Sequence, residues 1–105
     1  MGAVLFGYGE FLKDEVLESV LGHVPAKIAA KLRGFKRVLE KSTGFYNAVP
    51  SKRSVLEGVV MTNLSDEDLE KLDWFEEASA LYYREQHEVQ TAAGTMKAWV
   101  YVRKA

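Results

Sequence analysis

Two segments of this 105-residue chain carry residue types at spacings able to do chemistry. In Leu5-Phe6-Gly7-Tyr8-Gly9-Glu10-Phe11 a short apolar run enters a glycine-flanked turn and heads toward a helix. Backbone N–H groups in such a turn can converge on an anion or an oxyanion; taken alone, a mere tight turn is the simpler reading. In Leu72-Asp73-Trp74-Phe75-Glu76-Glu77 a carboxylate stands beside two bulky aromatics near a helix end, and Tyr82-Tyr83-Arg84 follows shortly after. Glu76 comes directly after Phe75, which faces the core, so its side chain is either exposed or turned into a pocket. Periodicity alone favours exposure.

Other chemistries find less support. The chain has no Cys, which removes disulfides, thiolate metal sites and a Cys nucleophile. His23 and His87 are the only histidines, without metal-ligand spacing or a calcium-loop acid cluster, so structural or surface roles are expected for both. No Gly-x-Ser-x-Gly elbow marks any serine, and Gly7-Tyr8-Gly9 lacks the third glycine of a dinucleotide turn. No metal and no cofactor is therefore expected. From Lys27 to Arg53 eight basic residues face Glu40 alone, whereas from Val55 to Gln90 ten acids face only Lys71 and Arg84. With Phe35, Phe45 and Tyr46 interleaved, the basic stretch has the composition of a nucleic-acid surface, but charge runs are usually solvated faces and the halves can neutralise each other. The net charge of −1 exerts no general pull on nucleic acid or anionic lipid, so neither is expected as a partner. The N-terminus lacks the charged flank and long apolar region of a leader, and no apolar run is long enough to span a bilayer; a cytoplasmic location is expected.

The elements that must position these residues are short. With 48% apolar and 28% charged residues, ordinary globular usage, one domain over 1–105 is expected. Ala3 to Tyr8 reads as a buried first strand. Lys13 to Leu21 reads as a helix, with Val16, Leu17, Val20 and Leu21 at helical spacing, Asp14 and Glu15 in the first turn, and Gly22 ending it. Ala26 to Glu40 fits either period, and Gly34 with the β-branched and aromatic content favours bent strands. Pro25 and Pro50 are expected between elements. Val55 to Met61 reads as a strand, and Ser65-Asp66-Glu67-Asp68 as the capped start of a helix running to about Glu76 or Glu77, with Leu69, Leu72 and Phe75 on one face. Tyr82 to Val89 and Met96 to Val102 read as a hairpin turning at Ala93-Gly94. The expected order is β-α-β-β-β-α-β-β. Without regular βαβ alternation a doubly wound parallel sheet is disfavoured, and an α+β fold with a mixed, barrel-like sheet is preferred.

Phe6-Gly7-Tyr8-Gly9, Leu32-Arg33-Gly34-Phe35, Tyr46-Asn47-Ala48, Leu56-Glu57-Gly58-Val59-Val60, Leu64-Ser65 through Leu69, and Leu72-Asp73-Trp74-Phe75-Glu76 with Tyr82-Tyr83-Arg84 stand in order along nearly the whole chain. As a set they resemble the gamma-glutamylcyclotransferase-like superfamily, especially its small members similar to gamma-glutamylamine cyclotransferase and the avirulence-gene-induced plant proteins. The resemblance implies a small mixed β-barrel with flanking helices and one pocket. There the turn at Tyr8, Gly9, Glu10 and Phe11 holds a glutamyl moiety through backbone groups, Tyr82 lines the pocket, and Glu76 is the general acid/base. The implied reaction releases an amine or amino acid from a small gamma-glutamyl substrate as the glutamyl part closes to 5-oxoproline.

The residues suit that chemistry. The substrate's own α-amine is the tethered nucleophile, so no Ser or Cys is needed and the protein's task is to fold the substrate into a ring-closing conformer. An α-ammonium titrates near ~8 and an ordinary Glu near ~4.3, so Glu76 needs a raised pKa. Burial against Trp74, Phe75 and the following tyrosines is the expected source. The sequence departs from the family at Glu10, where Ser or Thr is usual, at Phe11, where Leu or Asn is usual, and at Glu77, where glycine is common. An inward-pointing Glu10 would repel the substrate's α-carboxylate or raise the pKa of Glu76, which motivates an alternative expectation, a non-catalytic member of the fold that binds a small amino compound or a protein.

Overall fold

The structure is a computed structural model that describes residues 2–42, 44, 46–77 and 82–103; the side chains of Glu10, Glu76, Glu77 and Arg103 lie outside that description. Its elements are β1 (Ala3–Gly7), a 3-10 turn (Glu10–Leu12), α1 (Asp14–Leu21), β2 (Lys27–Leu39), β3 (Tyr46–Leu64), α2 (Asp66–Glu77), β4 (Tyr82–Thr91) and β5 (Gly94–Arg103). The α+β class is as expected. The strands close into a barrel in the order β1-β3-β2-β4-β5. All neighbours are antiparallel except β1 and β5, which run parallel through Leu5↔Trp99 and Phe6↔Val100.

Strand β1 is apolar throughout because both of its faces are covered, as period-2 geometry requires of a strand lying between two cores. Phe6 joins Leu32, Leu56, Val60, Val89 and Val100 inside the barrel. Leu5 points the other way, toward Leu17 and Leu21 of α1 and Leu69 and Leu72 of α2. On β5 the same alternation sends Val100 and Val102 inward and Trp99 and Tyr101 toward the helices.

Local signals account for the element ends. Gly22 adopts the left-handed conformation (φ 83°) and its N–H closes α1 onto the Glu18 carbonyl at 2.9 Å, which only a residue without Cβ does cheaply. At the start of α2 the Asp68 N–H donates to Ser65 Oγ (3.0 Å) while the Ser65 N–H donates to Asp68 Oδ2 (3.1 Å), a reciprocal capping box. Burial pushes the Asp68 carboxyl up, but hydrogen bonds from the His23 ring and the Ser65 backbone outweigh it and hold that carboxyl below its ordinary value. Gly94 (φ 111°) turns the β4–β5 hairpin, with Thr91 Oγ1 donating to the Gly94 carbonyl at 2.8 Å. His87 packs its ring against the edge of Phe35 and bonds Glu85, and His23 bonds Asp68.

Two expectations are corrected. Residues 26–40 are not separate bent strands: β2 is continuous, so the order has one strand fewer than expected. In addition, β3 begins nine residues before Val55 and carries Pro50 inside it rather than between elements. One irregularity explains both. Pairing passes from Arg33↔Val55 to Phe35↔Pro50, so Gly34 (φ 85°) alone opposes Ser51, Lys52, Arg53 and Ser54. Proline is tolerated there because a bulge relieves the ladder of its missing N–H. Beyond the bulge, residues 35–39 and 46–50 form a bent arm of the barrel. Within the basic run Lys27 pairs with Asp14, which lies outside the acidic stretch, and Lys31 lies opposite Glu57 in the β2–β3 register.

Candidate active site at one end of the barrel

The parallel pairing of β1 with β5 puts the end of β1, the end of β5, the start of β4 and the last turn of α2 at one end of the barrel, where the β2–β3 arm also bends. Tyr8, just past β1, is 7% exposed and stacks near Phe6 inside the barrel. Its hydroxyl donates to the Tyr101 carbonyl (2.7 Å) and accepts from the Ala48 N–H (3.2 Å), so past the end of β1 this one side chain ties β5 to β3. The Gly9 carbonyl accepts from the Leu12 N–H at 3.0 Å, which closes the 3-10 turn. A Cβ on Gly9 would lie 3.4 Å from Tyr46 Cβ, so the arm packs directly on the turn.

Phe11 does not face this end. It is buried between helix and sheet, with its ring 5.7 Å from Phe75 of α2 and 6.0 Å from Tyr101. That contact brings the turn and the last turn of α2 together and sets the neighbouring Glu76 backbone beside them. The Glu76 and Glu10 side chains themselves lie outside the described residues. Tyr82 is buried and its hydroxyl donates to Asn47 Oδ1, joining the start of β4 to the arm.

Of the aromatics expected to surround Glu76, whose own side chain lies outside the described residues, Trp74 is 76% exposed and Tyr83 43%, whereas Phe75 is half-buried and Tyr82 buried. Helical geometry exposes Trp74, because Leu72 and Phe75 take the buried face and rotate Trp74 away from it. The apolar neighbours on this side are Phe75, Phe11, Tyr82 and Tyr101.

Asp73, one helical turn before Glu76, anchors this stretch. Its carboxylate accepts from Arg84 Nε (2.5 Å) and Nη2 (2.9 Å) and from the Tyr101 hydroxyl (2.6 Å), while the guanidinium lies 4.4 Å over the Trp99 ring. These groups, with Tyr82 and Tyr83, line a hollow of about 300 Å3. Arg84 Nη1 is buried there without a partner among the described residues. A bidentate clamp of this kind fixes the helix end and therefore the direction in which its next turn projects.

Sequence reasoning missed Tyr101 and Arg37. Tyr101 carried a signal, since the alternation that sends Val100 and Val102 inward leaves it facing the helices. Arg37 donates from Nη1 to the Tyr8 carbonyl (3.2 Å) and stacks 4.0 Å over Tyr46, and it read only as one charge in a basic run.

Residues 5–105 match the family described as gamma-glutamyl cyclotransferase, AIG2-like. The chain is 27% identical to the Methanocaldococcus jannaschii protein named gamma-glutamylcyclotransferase and putative RNase over 101 residues, 95% of this chain and 46% of that protein. It is 32% identical to AIG2-like protein B of Arabidopsis thaliana over 72 residues, 69% of this chain and 42% of that one. The chain thus spans less than half the length of these two relatives. Among solved structures, an Arabidopsis thaliana protein determined in solution superposes with a TM-score of 0.86 at 26% identity, covering 96% of this chain and 68% of that one. A structure titled gamma-glutamyl cyclotransferase superposes at 0.82 and 21% identity, covering 97% and 66%, a likeness of fold. With nearly its whole length matched and its barrel shared, the chain belongs to the gamma-glutamyl cyclotransferase, AIG2-like family.

Proposed function

We propose that the chain is a cyclotransferase-type enzyme that converts a gamma-glutamyl amine or gamma-glutamyl amino acid to 5-oxoproline and the free amine, with Glu76 as general acid/base and the turn at Tyr8, Gly9, Glu10 and Phe11 as the glutamyl cradle. The observation carrying this reading is the meeting of the turn with the last turn of α2 through Phe11 and Phe75, at the barrel end closed by Tyr8 and Tyr82.

In the reaction the substrate α-nitrogen attacks the γ-carbonyl carbon and forms the lactam C–N bond as the γ-amide C–N bond breaks. Glu76 takes the proton released from the attacking nitrogen and delivers it to the departing one, so protons balance without a cofactor. The turn amides meet negative charge developing on the γ-oxygen, where one good donor typically contributes ~2.7–4 kcal/mol. Phe75 and the buried Tyr82 and Tyr101 support a low-dielectric surrounding for the acid, which would favour its neutral form. The Asp73–Arg84 clamp holds the helix end against β4 and β5 while the proton moves.

The test is release of 5-oxoproline from a panel of gamma-glutamyl amines and amino acids by the chain and by Glu76→Gln. Turnover by the chain and a loss of about 10²–10⁴-fold in the variant is the expected result for a general acid/base. Equal activity of the two proteins removes Glu76 from the mechanism. Ligand binding without turnover, regained in Glu10→Thr, favours the non-catalytic alternative.

A further inference from the structure

The bulge at Gly34 changes which residues of β2 face the barrel. Before it, Ala30 and Leu32 point inward and Lys31 and Arg33 outward. Because Gly34 contributes one residue to the irregularity and β3 contributes four, inward-facing positions switch from even to odd on β2 but not on β3. Phe35 therefore packs on the interior cluster, and Arg37 stands directly opposite Ala48, itself part of that cluster. A residue that plain alternation assigns to a solvated row is delivered to the mouth of the barrel.

There its guanidinium is held from two sides, by the hydrogen bond to the Tyr8 carbonyl at 3.2 Å and by the Tyr46 ring at 4.0 Å. Stacking fixes the guanidinium plane, and a guanidinium carries five N–H donors in that plane, of which the Tyr8 carbonyl takes one. Among the described residues no carboxylate pairs with Arg37, whereas Lys27, Lys71 and Arg84 each have one. Arg37 is an exposed residue, so its guanidinium is reachable by a ligand, and an oriented cation without a carboxylate partner among the described residues, on the turn proposed to hold the substrate, matches a ligand carboxylate.

We propose that Arg37 is a specificity-determining residue that receives the carboxylate of the departing half of the substrate, so that gamma-glutamyl amino acids are selected over gamma-glutamyl amines lacking that group. The inference rests on the cyclotransferase reading above. The departing half is the source of the carboxylate because the arm continues outward from Arg37 through Leu39 and Tyr46, which are 51% and 38% exposed, while the turn behind it holds the glutamyl half.

The test compares gamma-glutamylalanine with gamma-glutamylethylamine, which differ only in that carboxylate. Calorimetric affinity and kcat/KM are measured for the unaltered chain, Arg37→Gln and Arg37→Lys. The unaltered chain is expected to bind gamma-glutamylalanine about tenfold or more tightly than the amine. Arg37→Gln loses that preference, its loss of affinity falling on gamma-glutamylalanine more than on gamma-glutamylethylamine, and Arg37→Lys keeps part of it. Equal affinity of the unaltered chain for the two ligands overturns the proposal, whether or not either variant folds. A loss in Arg37→Gln that is equal for both ligands also overturns it, since the contact is then with the glutamyl carboxylate or with the turn itself. A binding preference that depends on Arg37 in a chain releasing no 5-oxoproline refutes the enzymatic reading and supports the recognition role.

Discussion

Replacing Tyr8 with Phe removes one oxygen from the point where β1 ends and the barrel must still be held shut. The hydroxyl sits in a residue only 7% exposed, donates to the Tyr101 carbonyl at 2.7 Å and accepts from the Ala48 N–H at 3.2 Å. Losing the bond to Tyr101 costs roughly 0.5–1.5 kcal/mol net, and depriving the Ala48 N–H of its acceptor in a residue 2% exposed costs roughly 1–3 kcal/mol more. Together these give about 1.5–4.5 kcal/mol, a large share of a small protein's stability and on the order of 10 °C in Tm for a domain near 100 residues. Urea unfolding should show a lower midpoint with an unchanged m value, because the barrel is weakened without changing the surface it exposes. The matching Tyr83→Phe, at a residue 43% exposed, should lie within about 0.5 kcal/mol of the unaltered chain. If Tyr8→Phe is as mild as that control, the hydroxyl does not close the barrel and the account of this end is wrong.

Gly58→Ala should be still more damaging, because a Cβ there would lie 2.3 Å from the Gly7 carbonyl oxygen and 2.9 Å from Phe6 Cζ, and backbone cannot yield as a side chain can. A loss of about 3 kcal/mol or more by urea unfolding is expected, at or beyond the usual overpacking range, and a loss under about 1 kcal/mol refutes the packing argument. For Asp68 the folded carboxyl is held below its unfolded value, so its contribution is complete above the unfolded pKa of ~3.9 and disappears as pH falls through the folded one. Asp68→Asn should therefore be less stable near pH 6 and lose less stability on acidification than the unaltered chain. Parallel stability curves from pH 6 to pH 2 contradict it.

Much of this fold was legible in the sequence where its cause lies within a few residues. Ser65 and Asp68 cap α2 through atoms three positions apart, Gly22 ends α1 by its own φ, and Leu69, Leu72 and Phe75 declare the buried face of α2 by spacing alone. The two chemistry-bearing segments could also be picked out by composition, and their meeting at one barrel end follows from a topology that the family resemblance implied. What tertiary structure decided is which way side chains face once strands pair. The bulge at Gly34 depends on four residues of β3 that lie far along the chain, and it admits Pro50 into a strand and turns Arg37 from a solvated row into the barrel mouth. Trp74 reads as a wall beside the acid, yet it faces water, while the Phe11 ring, whose turn was expected to act through backbone groups, joins the helix–sheet core. Caps and helical stripes are set by bonds between near neighbours, whereas register and strand facing are set by a partner strand, whose offset no local pattern encodes.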